Sequence, residues 1–221
     1  MTPETSVTPQ MLWEEAYRRF ETPEQEIRKF IRRLKSAGAI RWPREARIVE
    51  LFAGRGNGLH ALARLGFTSL EGIDISLALA AEYQGPARVL ISDCRQLPLP
   101  DASRDILIVQ GGLHHLPAFP ADLETTLREA SRVLRQEGLF MAVEPWQTPF
   151  LSLVHAFSRN RLVRRVSPKF DALATMIRYE QRTYDQWLGA PQPIMEKFHK
   201  YFRQEQRGFR FGKLHFLGRK R

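Results

Sequence analysis

Residues 47–76, RIVELFAGRGNGLHALARLGFTSLEGIDIS, decide the fold. Ile48, Val49 and Leu51 make a buried strand, and Gly54, Gly56 and Gly58 follow it, removing side chains where the backbone turns tightly and a ligand comes close. Leu59 to Leu65 read as a short apolar helix stopped at Gly66. Leu70 to Ile73 make a second strand ending at Asp74, about two dozen positions after Glu50, where a carboxylate can accept both hydroxyls of a ribose. Strand, glycine turn, helix, strand and terminal acid form one βαβ unit with the spacing of a nucleoside site.

The 221 residues suffice for one well-buried α/β domain and are too few for two generous ones. A single cysteine, Cys94, excludes an intramolecular disulfide framework. Glutamates and a tryptophan stand where a secretory signal would need a basic start and an apolar core, so the expected setting is reducing and cytoplasmic. No apolar run approaches the roughly 18 residues that span a bilayer. The net charge of +10 is uneven: residues 1–150 hold 18 Lys and Arg against 19 Asp and Glu, and residues 151–221 hold 16 against 5. A basic last third fits a partner bearing phosphate as well as it fits a solvated face.

Ahead of the central unit, Thr22, Pro23 and Gln25 supply an N-cap, a first-turn proline and a capping-box partner for a helix that ends near Gly38. Residues 11–20 form another short helix, and the first few residues are expected to be disordered. Beyond Asp74, Ser76 caps a helix predicted to run through Tyr83, and Arg88 to Ile91 make a short strand leading to Ser92, Asp93 and Cys94. The turn region LPLPDASRD, 97–105, leads into the strand ILIV, 106–109, and Gln110 to His115 lie just past its carboxyl end, where open parallel sheets bind ligands. A helix from Ala121 to Leu134 with its exit at Gly138 precedes a fifth strand, Leu139 to Val143. Five βα repeats predict a doubly wound, Rossmann-like sheet.

In this order, across about residues 45–145, the chain resembles the class I S-adenosylmethionine-dependent methyltransferases, in particular the branch that includes the ubiquinone and menaquinone biosynthesis enzymes. ELFAGRGNG, 50–58, matches the family's first motif, Asp74 its ribose acid and Asp93 its adenine-contacting acid. QGGLHHLP, 110–117, matches the fourth motif, and LREASRVLRQEGLF, 127–140, the helix and turn before the fifth strand. The resemblance implies S-adenosyl-L-methionine as cofactor and a seven-stranded sheet with an antiparallel C-terminal strand. It places Gly54 and Gly56 against the cofactor, Glu50 at its amino-acid end, Asp74 with Ile75 at the ribose, Asp93 and Cys94 at the adenine, and Gln110 at the methionine portion. Phe52 stands where most members carry the first glycine and would narrow the methionine end.

The expected parts are N-terminal helices (1–45), a cofactor-binding core (46–145), a helical lid (146–183), and a C-terminal helix and edge strands (184–221). In the lid, FLSLVHAFSRNRLVRRVSPKF, 150–170, interleaves apolar residues with arginines in the manner of a basic amphipathic segment. Three readings stay open for it: a solvated lid, contact with a lipid-bearing or phosphorylated substrate near a membrane surface through 150–169, and RNA. FRFGKLHFLGRK, 209–220, reads as one alternating strand at the sheet edge.

Methyl transfer from a sulfonium requires a nucleophile in line with the methyl group and exclusion of water, and it needs a base only if the nucleophile arrives protonated. Of the adjacent His114 and His115, one should face the cleft and the other pack. His115 is the first candidate for the base and His155 the second. No His or Cys spacing suggests a metal site. The acceptor is expected to be a small or lipid-linked molecule. The alternatives are an RNA (tRNA) methyltransferase, for which the fourth motif lacks the Asn-Pro-Pro-Tyr pattern of nucleobase N-methylation, and a non-catalytic partner subunit with Phe52 blocking the pocket. A nicotinamide dehydrogenase is disfavoured because no Tyr-x-x-x-Lys pair occurs.

Overall fold

The computed structural model describes residues 8–221, and the expectation of disorder for the first few residues lies outside that range. Seven strands form one sheet in the order β3-β2-β1-β4-β5-β7-β6. Its centre is β1 (Ile48–Leu51), parallel to β2 (Leu70–Asp74) on one side and to β4 (Arg104–Gln110) on the other. All four β1 residues are buried because helices cover both faces, so the strand is a continuous apolar run interrupted only by Glu50.

Two helices precede the sheet. Helix α1 (Pro9–Phe20) is capped by Thr8, and α2 (Pro23–Ser36) begins with the expected capping box between Thr22 and Gln25. Helix α3 (Asn57–Arg64) follows the glycine turn. Alternate residues of β1, β4 and β5 (Leu134–Pro145) face opposite layers. Ile48, Ile106, Ile108 and Val143 meet Phe30 and Leu34 of α2 and Leu59 and Leu62 of α3. On the other face Val49, Leu107 and Phe140 meet Leu123 and Leu127 of α5 (Ala121–Val133) and Phe198 of α9 (Pro191–Tyr201).

Three local expectations are corrected. The helix after Ser76, α4, spans only Leu77–Ala80. It stops there because Tyr83 folds back, its ring 4.8 Å from that of His60 and its hydroxyl accepting from Ala87 N–H at 3.1 Å. No helix joins β3 (Arg88–Ile91) to β4, so the βα repeats number fewer than five. Strand β5 begins at Leu134 instead of Leu139. Its pairing jumps from Arg104↔Leu134 to Ile106↔Leu139, and Gly138 sits inside this bulge, where a Cβ would lie 2.8 Å from the Arg135 carbonyl oxygen.

The C-terminal stretch read as one strand is a hairpin of β6 (Phe202–Arg210) and β7 (Lys213–Lys220), with β7 antiparallel to β5. Both turn residues have positive φ, Phe211 at 49° and Gly212 at 70°, as a two-residue primed turn requires. A phenylalanine at the first of these positions disguises the turn. Segment 146–183 is helical as expected, comprising α6 (Pro149–Arg159), α7 (Arg161–Val166) and α8 (Pro168–Leu188). Helix α8 packs along α1 and is pinned to the sheet by Trp187, whose indole N–H donates to the Pro145 carbonyl at 2.9 Å. Among the described residues no helix is long and apolar enough to cross a membrane.

Candidate functional site

The carboxyl ends of β1, β2, β4 and β5 gather the predicted residues. Gly54 and Gly56 take φ of 53° and 72°, the left-handed region that glycine enters without steric cost. Asp74, at the tip of β2, accepts from Gly54 N–H through one carboxylate oxygen and from Ser76 N–H through the other, each at 2.7 Å. Each oxygen keeps a second lone pair, so the acid shapes the turn and still offers acceptors for ribose hydroxyls. Ile75 beside it is 69% exposed, an apolar surface next to that acid.

The turn is clamped from outside by residues that the local pattern did not mark. Glu26 of α2 is buried and accepts from the Tyr17 hydroxyl and Asn57 Nδ2, both at 2.8 Å, and from Arg55 Nη2 at 3.3 Å. The Arg55 guanidinium also lies 4.5 Å from the Tyr17 ring centroid. Glu14 of α1, likewise buried, accepts from the Ser76 hydroxyl at 2.6 Å. Helix α1 thus covers the glycine turn and the loop after Asp74. Tyr17 had the look of an ordinary apolar-face residue.

Glu50 is 2% exposed. Its carboxyl lies against the first turn of α3, where a Cβ on Gly58 would fall 1.9 Å from Oε1. Gln110 Nε2 donates to Oε1 at 3.3 Å, while Glu50 Oε2 and Gln110 Oε1 are buried with no donor. Burial pushes the Glu50 pKa up to about 8, opposed by the Gln110 hydrogen bond and reinforced by the negative Glu26 and Asp74. Phe52 takes a φ of 56° and packs its ring on Gly112, where a Cβ would overlap it at 2.1 Å. The phenylalanine thus adopts the left-handed backbone of the glycine it replaces and points across to the end of β4.

Each of the two histidines has a carboxylate of its own. His114 is buried and its Nδ1 donates to Glu144 Oε2 at 2.7 Å; Glu144 Oε1 accepts from Gly112 N–H and Leu113 N–H at 2.9 Å each. Burial lowers the His114 pKa. It also opposes ionisation of Glu144, but the hydrogen bonds outweigh it and hold that carboxyl below its ordinary range. The pair is a neutral imidazole on a carboxylate, and it orders the loop.

His115 Nδ1 lies 2.9 Å from Glu180 Oε2, within ion-pair distance, and the same oxygen accepts from Trp13 Nε1–H at 3.0 Å. Burial opposes charge on His115, yet the Glu180 carboxylate more than offsets it and raises the pKa above the usual 6.5. Nothing in the local pattern marks Glu180, which comes from the middle of α8. His114, His115 and Glu180 offer ligand atoms within 4.8 Å of one another, a trio that sequence spacing could not foresee. Within the trio, His114 Nδ1 is engaged by Glu144 and Glu180 Oε2 accepts from Trp13.

The remaining candidates lie apart or are already engaged. Asp93 forms a bidentate ion pair with Arg95, which also reaches Asp122 at 3.0 Å. Cys94 is buried in the core with its sulfur 3.6 Å from the Thr126 hydroxyl, and burial raises its pKa to about 11, so its side chain packs. His155 of α6 sits 3.1 Å from the Tyr184 hydroxyl.

The arrangement fits a cofactor with an ammonium at one end and a ribose at the other. The orphaned buried oxygens of Glu50 and Gln110 lack only a donor, and the glycine backbone beside Asp74 leaves room for close approach. Comparison with known proteins agrees. Residues 49–142 match the family model described as a methyltransferase domain. Ubiquinone/menaquinone biosynthesis C-methyltransferases of two Caulobacter strains are similar: 37% identical over 54 residues, 24% of this chain and 20% of that protein, for Caulobacter sp. strain K31. For Caulobacter vibrioides the identity is 34% over 71 residues, 31% of this chain and 27% of that protein. The match thus spans about a quarter of those relatives. Among solved structures, a Pyrococcus horikoshii protein superposes with a TM-score of 0.66 at 17% identity, covering 92% of this chain and 96% of that one. An S-adenosylmethionine-dependent methyltransferase from Aquifex aeolicus superposes with a TM-score of 0.54 at 13% identity, covering 98% and 100%. With the sheet order, the glycine turn and the acid at the tip of β2 all in place, residues 49–142 form an S-adenosylmethionine-dependent methyltransferase domain.

Proposed function

We propose that the chain methylates a small or lipid-linked acceptor at an oxygen or an acidic carbon, with His115 as general base and Glu180 as its positioning residue. The observation that carries this reading is the Glu180 carboxylate oxygen 2.9 Å from His115 Nδ1, a contact that favours the proton on Nδ1 and would leave Nε2 to act as the base. Bound S-adenosylmethionine supplies an electrophilic methyl group on a positive sulfur. When an acceptor hydroxyl or acidic carbon attacks that methyl group, His115 Nε2 would take the proton the acceptor must lose. A positioned base of this kind contributes roughly 10² to 10⁴ in rate. Glu50 and Gln110 would hold the methionine ammonium, Asp74 the ribose hydroxyls, and Ile75 with the Asp93 region the adenine. Helix α8, which brings Glu180 to the site, would exclude water from above.

The test uses methyl-labelled cofactor with two acceptor pools, an organic-solvent extract of cellular metabolites and bulk tRNA. Label should enter the organic pool with the wild-type chain and fall at least a hundredfold with His115→Ala at unchanged cofactor affinity. Label in tRNA would overturn the acceptor class. Equal turnover by His115→Ala at every pH would overturn the base and direct attention to His155.

A further inference from the structure

The surface formed by α6, α7 and the β6–β7 turn is both apolar and predominantly cationic. Phe150, Leu153 and Phe157 recur along one side of α6, and all three are exposed. On the adjoining α7, Leu162 and Val166 are 73% and 80% exposed, and Phe211, at the tip of the β6–β7 turn, is 77% exposed. The patch is continuous at that tip: the Phe150 and Phe211 rings lie 5.8 Å apart edge to face, and Gly212 sits against Leu151. From Pro145 to Phe170 the chain has five Lys and Arg and no Asp or Glu. Arg164 pairs with Asp171 and Lys169 with Glu21, whereas Arg161 and Arg165 meet no carboxylate among the described residues.

A solvated lid would bury its apolar stripe and expose only its charge, whereas α7 exposes Leu162 and Val166 together with Arg161 and Arg165. A phosphate backbone would use the arginines but has no use for exposed leucine, valine and phenylalanine. An anionic bilayer uses both, drawing apolar side chains into the headgroup boundary while the guanidinium groups meet lipid phosphates. We propose that α6, α7 and the β6–β7 turn seat the protein on an anionic lipid surface. Helix α6 starts four residues past the end of β5, and Lys213, just after the turn, pairs in register with Pro145. The bilayer would therefore lie along the acceptor side of the sheet. This inference goes beyond methyl transfer and holds or fails without it.

The experiment is flotation of the purified full chain with vesicles of phosphatidylcholine alone or with about one-third phosphatidylglycerol, at low salt and at about 0.5 M salt. Binding should favour the anionic vesicles at least tenfold and weaken with salt. Phe157→Ser/Leu162→Ser/Val166→Ser should lose at least tenfold in partition at unchanged Tm, and Arg161→Ser/Arg165→Ser should lose most of the salt dependence. Absence of vesicle binding, or equal binding by the triple variant, would overturn the proposal. So would tRNA that displaces the vesicles and binds the triple variant undiminished, or a wild-type dimer that the triple variant dissolves while neither binds vesicles.

Discussion

Glu50 makes a quantitative prediction about cofactor binding. Its pKa of about 8 means that at pH 7 the free protein carries this carboxyl about nine-tenths protonated. An ammonium bound against Oε2 would favour the carboxylate, so binding must first remove that proton, at a cost on the order of 1 kcal/mol at pH 7. Affinity for S-adenosylhomocysteine should therefore rise close to tenfold per unit from pH 6 to pH 8 and level off above. About 0.9 proton should be released per site at pH 7 and about 0.1 at pH 9. Titration calorimetry in buffers of different ionisation enthalpy reads both quantities. In Glu50→Gln the limb should vanish, and the cofactor's own amine titration, common to both proteins, cancels in the comparison. The substitution should also stabilise the free fold. The folded pKa is raised from 4.5, so stability is lost as pH rises from about 4.5 to 8, and by pH 7 the loss reaches about 3 kcal/mol, which glutamine would largely restore. Weaker binding in a more stable protein identifies a functional residue. A pH-independent wild-type affinity without proton release would refute the reasoning.

Glu180→Gln removes the charge that raises the His115 pKa, so the rising limb of log turnover against pH should move to lower pH; a purely structural role would lower the rate and leave the limb in place. Gly58→Ala drives a Cβ into the Glu50 carboxyl, and calorimetry should find cofactor affinity reduced at least tenfold with circular dichroism unchanged. Phe140→Ala empties a site 1% exposed and stacked 4.3 Å from Phe202, costing about 3 to 5 kcal/mol in denaturant unfolding while leaving the site's hydrogen bonds in place.

The fold was legible where sequence signals are local. A strand buried on both faces, a glycine turn and an acid at the next strand's tip all lie within residues 47–76, and their partners are fixed by sheet topology. The candidate site was legible on the same terms: the positive φ of Gly54, the place of Asp74 at the tip of β2 and the place of His114 and His115 past the end of β4 follow from position. What escaped depends on distant packing. Glu180 reaches His115 from α8, Glu26 reaches Asn57 from α2, and Tyr17 lies near Gly54, and no periodicity within those helices sets these residues apart. The short α4 failed for a related reason, because Tyr83 gains more by covering Gly56 than by extending a helix. The terminal hairpin was hidden by a phenylalanine in a backbone region that phenylalanine seldom enters.

The most direct test of the account is a titration of S-adenosylhomocysteine into the wild-type chain and into Asp74→Ala and Asp74→Asn. The alanine loses the acceptors for ribose and for Gly54 and Ser76, whereas the asparagine keeps one oxygen for the turn. The account predicts one saturable site in the wild type. It predicts at least tenfold weaker binding in both variants, about 1.5 to 3 kcal/mol for a charge-assisted contact, with the asparagine variant losing less stability than the alanine variant because it keeps one of the two backbone hydrogen bonds. No binding by the wild type, or equal affinity in all three proteins, would contradict it.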